Sequence, residues 1–117
     1  MKHEMNLHPA PFKMIQSGDK SIELRLYDEK RRKIRVGDEI VFTCTEPPYD
    51  TLYTKVTALY FYDSFMELYD DLPLLKCGYT ADDISAAKPE DMDAYYSREQ
   101  QEQYGVVGIE IKIFEKI

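Results

Sequence analysis

The chain has 117 residues, 44% of them hydrophobic and 32% charged, with 22 acidic against 15 basic side chains for a net charge of -7. That length supports one hydrophobic core, and the proportions are those of a folded domain, which excludes disorder of the whole chain. No window approaches the roughly 18 uninterrupted apolar residues of a membrane span, and Met1–Glu4 leads into no apolar signal core, so one cytoplasmic domain over residues 1–117 is expected.

His3–Leu7 reads as an opening strand. Pro9 and Pro11 then set up a helix over Pro11–Ser17, because proline's fixed φ suits a first helical turn, and Gly18 supplies the left-handed stop. From Lys20 the pattern changes to period two: Ile22, Leu24 and Leu26 share one face, and Ser21, Glu23, Arg25 and Tyr27 share the other. Val36-Gly37-Asp38 marks a turn into a strand over Glu39–Thr45, which Pro47-Pro48 ends. Thr51–Tyr62, dense in Thr, Val, Tyr and Phe, predicts a long strand with apolar side chains on both faces, hence a central or helix-covered one. Ser64-x-x-Glu67 has capping-box spacing and opens a short helix through Phe65, Leu68 and Tyr69, stopped by Pro73. Thr80-x-x-Asp83 and Ser97-x-x-Gln100 repeat that spacing around the acidic stretch Ala81–Gln103, where two or three short helices are expected. Val107, Ile109, Ile111 and Ile113 alternate in a closing strand. Helices gathered between strands, rather than alternating with them, argue for an α+β fold with a small mixed sheet or barrel.

The acidic balance speaks against binding driven by phosphate neutralisation over the whole surface. It is uneven, however: residues 1–40 hold nine Lys and Arg against seven Asp and Glu, and the remainder holds six against fifteen. Lys30, Arg31, Arg32, Lys33 and Arg35 are nearly contiguous and form a solvated loop or a phosphate-facing patch. The chain has no Walker loop, G-x-G-x-x-G, G-x-S-x-G or H-E-x-x-H. His3 and His8 lack ligand-spaced partners and a strained nucleophile turn to serve, so neither a metal, a cofactor nor a Ser–His–Asp triad is expected. Cys44 and Cys77 fit no C-x-x-C spacing and read as reduced core thiols. Tyr60-Phe61-Tyr62 with Phe65 is core packing or a stacking platform for bases.

Ionisable groups concentrate in Gly18-Asp19-Lys20-Ser21-Ile22-Glu23-Leu24-Arg25. Glu23 and Arg25 leave the same face of a strand, and Lys20 reaches that face only from the turn before it. The trio is either a surface ion-pair ladder or a site, with Arg as a fork and Lys as a point charge around one carboxylate. The order G-x-K-x-x-E-x-R, then Val36-Gly37-Asp38-Glu39-Ile40-Val41-Phe42, then Tyr96-Ser97-x-Glu99 ahead of Tyr104-Gly105-Val106-Val107-x-Ile109, resembles the ASCH domain over nearly the whole chain.

The resemblance implies a small PUA-like β-barrel of mixed strands with flanking short helices. It also implies RNA or a nucleotide-like ligand as partner, held in a cleft lined by Lys20, Glu23 and Arg25. Ser97 and Tyr104 match its C-terminal pattern as further ligand-binding positions, with a helix N-cap and a core or cleft wall as their structural alternatives. Arg25→Ala should then abolish binding with little change in thermal midpoint. Some proteins similar to this one are amidohydrolases acting on N4-acetylcytidine, with a Lys, a Thr three residues later and a distant Glu. Lys20 matches the first, Glu23 stands at the Thr position, and Glu67, Glu99 and Glu102 compete for the last. A catalytic alternative, amidohydrolase or ribonuclease, therefore rests on Lys20 and Glu23 as a pair, although a neighbouring carboxylate favours the ammonium over the neutral base such chemistry needs. A protein-interaction module presenting the acidic helical face is the third possibility.

Overall fold

Alternating apolar positions build one five-stranded sheet from β1 (Lys2–Leu7), β2 (Ile22–Leu26), β3 (Glu39–Cys44), β4 (Thr51–Tyr62) and β5 (Val106–Ile113), in the order β1-β3-β4-β5-β2. A computed structural model describes residues 1–114; the last three positions of the expected 1–117 span lie outside the described residues. β1 pairs parallel with β3, and every other neighbouring pair is antiparallel. The long strand β4 is the middle one, as its two apolar faces require.

Each face of the sheet carries its own core. Met5, Ile40, Phe42, Val56, Ile109 and Ile111 pack under Phe12 and Ile15 of helix α1 (Pro9–Ser17). Ile22, Leu24, Leu26 and Val106 pack under Phe65, Leu68 and Leu72, which belong to helix α2 (Phe65–Asp71) and its C-terminal cap. Cys44 and Cys77 are unpaired and sit against different cores, and burial pushes the Cys77 thiol up to about 11. Among the described residues no helix is long and apolar enough to cross a membrane.

The sheet curls far enough for its two edges to meet. Arg25 on β2 donates from Nη2 to the carbonyl of Asn6 on β1 at 3.0 Å, although three strands separate them in the sheet. That contact makes the sheet a half-barrel and shields two edges that would otherwise be open to pairing. On the β1 side, Asp38 fastens the turn before β3: its Oδ2 accepts from His3 Nε2 at 2.8 Å and from the Arg35 amide at 3.0 Å. The His3 hydrogen bond is the main reason its carboxyl falls to about 2.

Three local features refine the sequence reading. Helix α1 begins at Pro9 rather than Pro11, because extended His8 serves as its N-cap and both prolines fit the first turn. The acidic stretch holds two 3₁₀ segments, Ile84–Ala86 and Pro89–Ala94, and one α-helix, α3 (Arg98–Tyr104). The α-helix forms where the cap is reciprocal: Ser97 Oγ accepts from Gln100 N while Gln100 Oε1 accepts from Ser97 N. At Thr80 only a Thr80 N to Asp83 Oδ1 bond forms, and a turn results. Finally, a bulge at Thr57 shifts the register between Val56 and Ala58. An extra residue inverts side-chain parity, so Val56 and Phe61 share one face while Tyr60 and Tyr62 join the other core.

Candidate functional site

Strand parity aims Glu23 and Arg25 inward. On β5 they stand opposite Ile109 and Val107, both members of the core beneath α1, so a carboxylate and a guanidinium enter an otherwise apolar face. Lys20 joins them from the turn ahead of β2. Its Nζ donates to Glu23 Oε1 at 2.7 Å, while Arg25 donates to Oε2 from Nε at 3.1 Å and from Nη2 at 2.8 Å. The side chains of Lys20, Glu23 and Arg25 are only 10%, 5% and 16% exposed, which excludes a solvated surface ladder. The stretch Lys76–Gly78 lies over Lys20: Ser21 N donates to Lys76 O, and a Cβ at Gly78 would come within 3.4 Å of Lys20 Cδ. Gly78 also has φ +110, so both conformation and space favour glycine there.

Burial by itself would raise the pKa of Glu23. The charges of Lys20 and Arg25, with their hydrogen bonds, outweigh it and hold the carboxyl below its ordinary value. Glu23 is thus ionised at neutral pH, and the trio carries a net charge of about +1 at that pH. A guanidinium has five N–H donors and an ammonium three. Arg25 spends Nε and Nη2 within the protein, Lys20 spends one donor, and among the described residues Arg25 Nη1 and the rest of Lys20 Nζ have no partner. Neither atom is a sealed orphan; among the described residues Arg31 Nε is the buried side-chain atom without a partner. The phenol of Tyr96, raised by burial and lowered by the field of Arg25, borders the same charges. Such an arrangement can donate to oxygens of a ligand. Both oxygens of Glu23 are occupied by cations, and no hydroxyl stands at position 23 to act as a nucleophile.

The other sequence-derived positions lie apart from this trio. Ser97 uses its hydroxyl to cap α3. Tyr104, at the end of α3, lines an open groove of about 560 Å³ together with Tyr27, Arg32 and Phe61. Of the candidates for a distant catalytic glutamate, Glu67 accepts from Asp63 N, and Glu99 and Glu102 are exposed. Among the described residues none of the three bonds to Lys20, Glu23 or Arg25. The basic stretch is partly engaged: Arg31 pairs with Asp28 at 3.1 Å, Lys30 donates to Glu4 O, and Arg32 lies 4.3 Å over the Tyr27 ring. His3 is committed to Asp38, and His8 Nδ1 is 3.4 Å from Thr45 Oγ1. The structure also changes what Arg25→Ala should do, because this side chain neutralises a buried carboxylate and ties β2 to β1.

The ASCH domain model matches residues 5–115. The crystal structure of hypothetical protein PH0355 superposes with a TM-score of 0.79 at 35% identity, covering 97% of this chain and 100% of that one. The solution structure of protein PF0455 from Pyrococcus furiosus gives 0.71 at 34% identity, covering 99% and 100%. A point mutant of an ASCH protein from Zymomonas mobilis, at 14% identity, shares the fold with a TM-score of 0.66, covering 100% of this chain and 76% of that one. No curated protein matches the chain.

Proposed function

This chain belongs to the ASCH domain family, and on that premise we propose that it binds a nucleotide-like segment of RNA, or a free nucleotide-like ligand, through Lys20 and Arg25. One observation carries the proposal: a buried carboxylate holds two cations in place and leaves each with donors to spare. Glu23 locks both heads into one geometry, so little side-chain entropy is lost when a ligand arrives. A carbonyl or phosphate oxygen then accepts from Arg25 Nη1 and Lys20 Nζ in a site with a net charge of about +1, where such bonds are strong. Lys76–Gly78 fixes the path of Lys20. Ser97 and Tyr104 serve the site at one remove, Ser97 by seating α3 and Tyr104 by walling the neighbouring groove.

Fluorescence anisotropy with a labelled single-stranded RNA tests this directly. Lys20→Met is expected to weaken binding about tenfold, since a hydrogen bond to a charged group contributes about 1.5 kcal/mol or more. Unchanged affinity would overturn the proposal. Incubation with N4-acetylcytidine, followed by chromatography, is expected to show no Lys20-dependent deacetylation. Turnover that disappears in Lys20→Met would instead establish Lys20 and Glu23 as a catalytic pair.

A further inference from the structure

The groove at Tyr104 has a chemistry of its own. It opens where the ends of β2 and β4 meet the start of β5, and its volume of about 560 Å³ falls in the range of small-molecule sites. Tyr27 is its floor. Phe61 packs on that ring with centroids 4.8 Å apart, and Arg32 lies over it at 4.3 Å while donating to Tyr104 O at 3.3 Å. Phe61 is nonetheless 54% exposed, so an aromatic ring held by its neighbours presents a free surface to solvent. The Thr57 bulge is what turns Phe61 to this side.

The rim is acidic. Asp63, Glu67 and Glu102 line the groove against the single cation Arg32, and among the described residues the carboxylates of Asp63 and Glu102 have no partner. A phosphate is therefore repelled from the groove, whereas a planar ring carrying N–H donors is matched on both counts. Lys33 and Arg35, exposed on the segment that follows Arg32, offer positive surface to a backbone phosphate. Among nucleobases, adenine, cytosine and guanine carry an exocyclic amine that a carboxylate can accept from, and uracil carries none.

We propose that this groove is a nucleobase site that prefers bases bearing an exocyclic amine, with Phe61 and Arg32 as stacking faces and Asp63 and Glu102 as acceptors. Resting as it does on the nucleotide-binding function proposed above, it adds a second contact on the same side of the sheet. Phe61 stands opposite Val107, and Val107 opposite Arg25, so the two sites are about two strand spacings apart, roughly 10 Å at the backbone.

Anisotropy titrations with labelled pentamers of oligo(C) and oligo(U), in one buffer, separate the two sites. These pyrimidines have the same ring size and backbone charge, so the amine is isolated. Wild type is expected to bind oligo(C) about tenfold more tightly, Phe61→Ala to weaken oligo(C) about tenfold with an unchanged melting temperature, and Asp63→Ala with Glu102→Ala, which remove both acceptors, to erase the preference. Equal affinities in wild type, or unaltered binding by Phe61→Ala, overturn the groove. Lys20→Met, run alongside, should lower both affinities while preserving their ratio. Loss with Lys20→Met but not Phe61→Ala overturns the groove alone, the reverse overturns only the Lys20 site, and no binding of either pentamer by wild type overturns both.

Discussion

Glu23 and Asp38 are both buried carboxylates that hold a strand edge in place, and they differ in what their partners have left to give. Asp38 accepts from the ring of His3, from the amide of Arg35 and, at Oδ1, from the Met1 ammonium at 3.2 Å. The amide's one proton is consumed, and the Met1 side chain is 68% exposed, so the remaining donors of its ammonium face water. Glu23 accepts from an ammonium and a guanidinium, which carry more donors than one carboxylate can use. The first arrangement is a fastening; the second fastens and also presents oriented donors. Burial and a lowered pKa are common to both and do not distinguish them. Enclosure of the spare donors does, with the side chains of Lys20 and Arg25 10% and 16% exposed.

The contrast is broken or sharpened most strongly at Glu23. Glu23→Ala leaves two cations inside the sheet without a counter-charge, and urea unfolding is expected to show a loss of about 3–5 kcal/mol. A loss below about 1 kcal/mol would mean that Lys20 and Arg25 reach water unaided. Arg25→Ala comes next, at about 2–3 kcal/mol, because it half-strips the carboxylate and frees the edge contact with Asn6. An unchanged melting temperature would restore the purely ligand-binding role expected from sequence.

Asp38→Asn should cost about 1–2 kcal/mol at neutral pH. Its folded pKa lies at about 2 against an ordinary 3.8, so the stability it contributes is present above about pH 3.8 and is lost as the pH falls through 2. Wild type and Asp38→Asn should therefore converge over that window in an acid titration followed by circular dichroism. Parallel curves would assign the acid transition elsewhere. A comparable loss of about 1–2 kcal/mol is expected for Lys20→Met, since one oxygen of the buried carboxylate loses its partner while the Arg25 fork continues to neutralise it, and the RNA titration loses a donor.

Much of the fold could be read residue by residue. Period-two alternation placed β2 and β5, the caps at Ser64 and Ser97 placed α2 and α3, and the two-faced composition of Thr51–Tyr62 required a central strand. Parity also put Glu23 and Arg25 on one face, with Tyr27 following them. Burial of the trio was not legible, because it depends on curling of the sheet and on a loop more than fifty residues away. The groove stayed hidden for a similar reason. Tyr27, Arg32, Phe61 and Tyr104 come from four separate segments, and strict alternation along β4 would have sent Phe61 to the opposite face.

Local physics, then, was enough to determine the strands, the helices and which side chains leave a strand together, since alternation, capping and proline geometry act over a few residues. Which face became interior, that an ion-paired trio was lodged in it, and that an aromatic ring stayed outside were decided by contacts between distant segments. The Arg25–Asn6 contact, the Lys76–Gly78 stretch and the Thr57 bulge all depend on strand pairings and packing that exist only once the sheet has assembled.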